Sequence, residues 1–231
     1  MREGEARMYL AELWRYPVKS MAGERLERVT LGLAGVEGDR TIHVQNGRGR
    51  VVTARTHPQL LRHRAVATGD GNTIVDGLPC AHPEIAAAIE KDAGPGALLV
   101  PDESMDRFDV LPLLVATDGA IKEFGHDGRR LRPNLVIGGV SGLEERSWPG
   151  KFLRIGEAVI SLVDLRGRCV MTTFDPDTLE QNRGVLREIV RRFEGTLALN
   201  ASVVQGGLIY EGQPVDLFDT SEQAMVAAHD K

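Results

Sequence analysis

The segment Arg166-Gly167-Arg168-Cys169-Val170-Met171-Thr172-Thr173-Phe174-Asp175-Pro176-Asp177-Thr178 sets a thiol beside two guanidiniums. Nearby positive charge favours the thiolate, which is both a nucleophile and a soft metal ligand, so Cys169 is a candidate for either chemistry. The competing reading is a small buried hydrophobe, the usual fate of a lone cysteine. The run Asp175-Pro176-Asp177-Thr178 has turn composition, since Asp accepts bonds from nearby amides and Pro fixes φ at the next position. Such a turn explains itself without catalysis. It also offers Asp175 and Asp177 as carboxylates for a proton relay close to the thiol.

Further basic and small polar residues stand where short apolar runs give way to loops: Tyr16-Pro17-Val18-Lys19-Ser20, Gly35-Val36-Glu37-Gly38-Asp39-Arg40, Val52-Thr53-Ala54-Arg55 and Arg130-Leu131-Arg132-Pro133-Asn134. Together they could line an anion pocket. Arg offers a planar fork to phosphate oxygens, Lys a point charge, and neighbouring glycines let backbone amides come close. Taken singly, each word also reads as solvated surface charge.

The elements that must hold these residues are mostly strands. Apolar alternation or short apolar runs mark strands at 8–14, 25–31, 41–45, 51–53, 60–67, 73–75, 98–100 and 135–137, with further strands across 158–165 and 197–204. The pair Gly206-Gly207, followed by Leu208 to Tyr210, suggests a hairpin return from the last of them. Helices are few. Residues 83–93 open on Pro and stop at Gly94, residues 118–124 follow Thr117 as a cap although Gly119 weakens them, and Leu186, Ile189, Val190 and Phe193 form an apolar stripe that Gly195 ends. With no parallel βαβ alternation, the pattern predicts an α+β protein, mostly antiparallel, built as a barrel with appended helices. A boundary near residues 94–107 divides a smaller β-rich region, 1–100, from a larger one, 101–231, with residues 1–40 free to pack against the second.

Composition narrows the function. The 231 residues are 42% apolar, enough for a sizeable core, and 28 basic against 33 acidic residues leave a net charge of −5. That balance argues against nucleic-acid binding, which rests on phosphate neutralisation, and makes any basic site local. Charges throughout residues 1–20 and the lack of a long uncharged run predict neither leader nor membrane span, hence a cytoplasmic protein. Cys80 and Cys169 have no CxxC or CxxH spacing, and His43, His57, His63, His82, His126 and His229 form no ligand pattern, so no histidine is assigned to a metal. Hydrolase-elbow, P-loop and dinucleotide fingerprints are also missing.

The words Arg15-Tyr16-Pro17-Val18-Lys19-Ser20, Gly38-Asp39-Arg40, Val52-Thr53-Ala54-Arg55, Arg132-Pro133-Asn134 and Arg168-Cys169, followed by Thr172-Thr173-Phe174-Asp175-Pro176-Asp177-Thr178, occur in the order seen in MOSC-domain proteins. Over nearly the whole chain they resemble the amidoxime-reducing branch, in which a β-barrel N-terminal region precedes the MOSC domain. The resemblance implies a MOSC β-barrel carrying the molybdenum cofactor (molybdopterin with Mo), with Cys169 as the molybdenum ligand. It carries cofactor contacts onto Lys19, Ser20, Arg40, Arg132, Asn134 and Arg168, with Arg55 and Asn200 in the same set. Two departures stand out: Gly167 where close relatives often have Ser, and Asn200 where a tyrosine contact is expected.

The activity implied is reduction of small N-hydroxylated substrates such as amidoximes, hydroxylamines and N-hydroxylated bases, with Asp175 or Asp177 as the proton source. Electrons would come from a separate protein, ferredoxin-like or cytochrome b5-like with a flavin reductase, since the chain lacks the cysteines of an iron–sulfur cluster. A Cys169 persulfide that delivers sulfur to a metal cofactor is the alternative chemistry, and a non-catalytic cofactor-binding module the alternative without chemistry.

Overall fold

The computed structural model describes residues 7–69, 71–102 and 104–226. His229 and the charged residues before position 7, part of the reading above, lie outside them.

Long apolar strands late in the chain build the main sheet. Its spatial order is Val215–Phe218, Phe152–Ile155, Ala158–Gly167, Thr196–Gln205, Leu113–Thr117, Leu135–Gly138, Tyr9–Arg15 and Glu24–Arg25. The sheet curls until its ends meet: Leu10 N–H donates to Gln213 O (2.9 Å), and Val215 N–H to Met8 O (3.0 Å). Inward residues of seven of these strands, Leu10, Leu13, Leu113, Val115, Leu135, Ile137, Leu153, Ile160, Leu199 and Val215 among them, fill one core together with Trp148 from a connecting turn. The expected α+β, antiparallel-rich architecture is therefore the one observed.

One pair of strands is the exception within the mostly antiparallel sheet. Leu113–Thr117 pairs in parallel with Leu135–Gly138, and the crossover between them carries helix α2 over Asp118–Phe124. A parallel pair cannot be joined by a tight turn and needs such a crossover. The helix matches the one expected at 118–124, whereas the strand Leu113–Thr117 before it was not among the expected strands, so the pattern showed no βαβ unit.

A second core gathers Val18, Met21, Ile42, Val44, Leu60, Val75, Ile85 and Ile89 around short strands and helix α1, Pro83–Ala93. The two cores interleave along the chain, because Leu10, Leu13, Val29 and Leu31 belong to the main one. The expected strand over 60–67 is instead a 3₁₀ turn, Pro58–Arg62, followed by a strand limited to Ala65–Ala67. Pro58 sets a turn φ at its start. The expected strand over 25–31 is broken, since Leu26 turns its N–H to Leu13 O (2.8 Å) before pairing resumes at Arg28–Gly32.

The Gly206-Gly207 hairpin does not form. Gly207–Tyr210 pairs with Arg28–Gly32 instead, because an N-terminal strand supplies the neighbour that a local return would have given. Helix α3, Arg183–Phe193, buries Val185, Ile189 and Phe193, while Val190 of the expected stripe stays 59% exposed. Asn182 caps its start, and Glu194 takes the left-handed conformation just before Gly195.

Candidate functional site

A cleft opens where the N-terminal loops meet the ends of the main-sheet strands. Lys19, Ser20, Arg40, Arg55, Arg132, Asn134, Arg168, Cys169 and Asn200, separated by up to 181 positions, all line it. Its enclosed part measures about 90 Å³ and continues into an open mouth. Cys169 follows the strand Ala158–Gly167 and is half-buried at the head of a 3₁₀ turn, Val170–Thr173. Thr172 secures that turn by donating from N and Oγ1 to Cys169 O (3.1 and 2.9 Å).

Backbone strain aims three of the side chains. Ser20, Arg40 and Arg132 have φ of 72°, 54° and 57°, a left-handed conformation that costs a non-glycine residue about 1–2 kcal/mol. Strain of this kind persists only where surrounding structure holds it, and it clusters at functional sites. The holds are visible here. Asp39, fully buried, accepts from Tyr16 N (2.7 Å) and pairs with Arg40. Tyr16 donates its hydroxyl to Pro133 O (3.1 Å) and lies beneath two guanidiniums, 4.2 Å from Arg132 and 5.0 Å from Arg40. Burial pushes the Tyr16 phenol up to about 12, so it stays neutral and donating.

Asn134 spends its amide on the frame, accepting from Leu114 N (3.1 Å) and donating to Trp14 O (3.3 Å). Asn200 ties Arg166 (3.2 Å) to Asp164 (2.7 Å). A Cβ added at Gly167 would meet nothing within 4 Å, so the cleft has open space where a serine side chain would otherwise stand.

The charges do not balance. Lys19 (3.0 Å), Arg55 (2.5 Å) and Arg166 (3.6 Å) share the one carboxylate of Asp109. Desolvation works against that carboxylate, but Lys19, Arg55 and Arg166 outweigh it and hold Asp109 below its ordinary value. Arg132 and Arg168 have no carboxylate within 4.0 Å among the described residues. Burial brings both down to about 10, which still leaves them cationic at neutral pH. Arg168 Nη2 donates to Leu131 O (2.7 Å), while Arg168 Nε is buried without an acceptor. A buried N–H without an acceptor costs about 1–3 kcal/mol. Two half-buried cations and a buried orphan donor in one cleft are the signature of an anion site.

Asp175 and Asp177 are not brought to the cleft. Asp175 closes the turn by accepting from Asp177 N and Thr178 N (both 3.0 Å) and pairs with Arg130 (2.8 Å). Asp177 pairs with Arg129 (2.6 Å) on the surface. The turn amides of Thr178 and Asp177 hold the Asp175 carboxyl below the usual carboxylate range, and Arg129 does the same for Asp177. Both are therefore ionised and committed to arginines, and Asp175 acts here by fixing Arg130, which does line the cleft.

Arg130 and Arg166 were visible in the motifs as neighbours of the chosen residues, whereas Asp109 had no signal. It sits in an irregular segment, and only the fold carries it to Lys19 and Arg55. Arg55 in turn interacts with the Cys169 sulfur.

The profile described as MOSC N-terminal beta barrel domain matches residues 7–96, and that of the MOSC domain matches residues 100–216. The chain belongs to the MOSC family. This MOSC chain is 26% identical to the human mitochondrial amidoxime-reducing component 1 over 227 residues, covering 73% of this chain and 67% of that protein. It is 34% identical to the human mitochondrial amidoxime reducing component 2 over 76 residues, covering 30% and 22%. The YuaD protein of Bacillus subtilis shares the fold, with a TM-score of 0.53 at 10% identity over 93% of this MOSC chain and 97% of that one. No helix among the described residues is long and apolar enough to cross a membrane.

Proposed function

We propose that this MOSC protein binds the molybdenum cofactor in the cationic cleft and reduces N-hydroxylated compounds. One observation carries the reading: Arg132 and Arg168, both cationic and without a carboxylate partner among the described residues, line one cleft with a half-buried thiol. The donor set suits the group. A thiolate suits a soft metal already held by sulfur, and Arg and Lys donors suit a terminal phosphate.

In this reading Cys169 is the protein's ligand to the metal. Lys19, Arg40, Arg132 and Arg168 neutralise and orient the phosphate-bearing pterin. Ser20 and the open space at Gly167 let it approach the backbone. Asp109 gathers Lys19, Arg55 and Arg166 on one side of the cleft, and Arg55 links that cluster to the sulfur. When bound, the cofactor supplies the two-electron redox step. The overall reaction breaks the N–O bond with two electrons and two protons, releases water and leaves the N–H compound. Electrons come from a separate ferredoxin-like or cytochrome b5-like protein. The name of the human relative, an amidoxime-reducing component, agrees with this chemistry.

The test is elemental and pterin analysis of protein purified from a host with intact cofactor biosynthesis, alongside Cys169→Ala. Near-stoichiometric molybdenum and N-reductase turnover are expected in the parent, with turnover lost in the variant. A parent that carries sulfane sulfur without molybdenum, or a Cys169→Ala protein that keeps full turnover, would overturn the assignment.

A further inference from the structure

A second cavity, about 360 Å³, lies in the seam between the N-terminal loops and the segment that carries Arg129 to Arg132. It shares Arg130, Arg132 and Met171 with the cleft as a common wall, and Met171 stands two residues past Cys169. The remaining lining is of two kinds. Trp14, Phe174, Leu61 and Pro176 give apolar and aromatic surface, and Arg62, Arg64 and Arg129 add cations to the lining. Trp14 has its indole N–H satisfied by Glu12 Oε2 (2.7 Å), which leaves the ring to serve as contact area.

Charge is again in excess. Asp177 is the carboxylate in the lining, and it is taken by Arg129. Arg62 donates to the neutral Gln59 (2.9 Å), and neither Arg62 nor Arg64 forms an ion pair with a described carboxylate. Arg130 Nε is buried without an acceptor. Aromatic contact suits a planar ring, and unpaired guanidiniums suit a phosphate or similar oxyanion.

We propose that this cavity seats the substrate and selects a planar, anionic one: a nucleobase or aryl ring that carries a phosphate. The N-hydroxyl group of that substrate rests on the function proposed above, whereas the preference for ring and anion rests on this cavity alone. The cofactor is itself a ring system with a phosphate, so the test must separate the two occupants.

Trp14 provides the readout, because the other tryptophan, Trp148, is buried in the main core. Molybdenum-loaded protein is titrated with cytidine 5′-monophosphate, cytidine and inorganic phosphate while tryptophan fluorescence is followed. None of these is reducible, so binding is read without turnover. The nucleotide is expected to quench saturably and to bind about tenfold more tightly than the nucleoside, the worth of a charge-assisted contact. Trp14→Phe should abolish the quench. Arg62→Gln with Arg64→Gln, both exposed positions, should shrink the preference to about twofold or less, the remainder expected when screened rim charges are removed.

Equal binding of nucleotide and nucleoside, or a preference that survives the double substitution, would overturn the proposal. So would quenching confined to cofactor-free protein, which would assign the cavity to the cofactor. Protein that carries no molybdenum when made in a host with intact cofactor biosynthesis, yet still prefers the nucleotide, would count against the reductase reading only.

Discussion

Asp109 shows how one carboxylate shapes the cleft at the scale of a residue. It is the acceptor shared by Lys19, Arg55 and Arg166, so Asp109→Asn leaves three cations facing one another. The loss at neutral pH is expected to be roughly 1 kcal/mol, the scale of partly exposed pairs. The native carboxyl lies below its ordinary 3.8, so its contribution is complete above that value and is lost as pH falls through the lower folded one. Thermal midpoints of the two proteins across pH should therefore differ by a constant amount down to about pH 4 and converge below it. A gap unchanged in acid would show that Asp109 contributes nothing through its charge. The same scale accounts for Asp175 and Asp177. Their spacing from Cys169 in sequence suggested a relay, but turn amides and arginines claim both carboxylates, and no inspection of sequence distance reveals that competition.

Helix α2 makes the case at the scale of an element. Its cap was legible in the residues: Thr117 Oγ1 accepts from Ala120 N (3.1 Å). That hydroxyl also donates to the buried Glu145 (3.0 Å), whose carboxyl burial pushes up. Gly119 looked like a weakness by propensity and is instead a packing requirement. A Cβ there would stand 2.5 Å from Val140 O and 2.6 Å from Gly142 O, backbone atoms that cannot give way cheaply. Gly119→Ala, favourable for an isolated helix by about 1 kcal/mol, should therefore destabilise the protein by about 1–3 kcal/mol in urea unfolding. A stabilised variant would show that the crossover can shift. The strand register around it was partly legible, since alternation marks strands well, but partners were not. Gly206-Gly207 suggested a local return, and the strand pairs with residues nearly 180 positions earlier. Alternation reports which side of a strand is apolar, never which strand lies beside it.

At the scale of the whole molecule, the N-terminal segment is woven into the C-terminal sheet. Tyr9–Arg15 pairs with Leu135–Gly138, Trp14 N–H donates to Asn134 O (2.8 Å), and Tyr16 reaches Pro133. Ser104 to Asp106 are exposed near the start of the MOSC-domain match, just past the end of the N-terminal one. Cleavage there should leave fragments that co-elute on native size exclusion and part only in denaturant, and free separation would contradict the shared core. The amino-acid sequence alone determined the class of fold, from alternating apolar residues and turn composition, and the chemical kinds present, a thiol and a set of arginines in recognisable words. Tertiary structure alone decided which of those residues meet. Charge balance, strain at Ser20, Arg40 and Arg132, and the unpaired state of Arg132 and Arg168 all depend on distances between segments far apart in the chain. Those distances are set by how the sheet curls and closes, which no local pattern encodes.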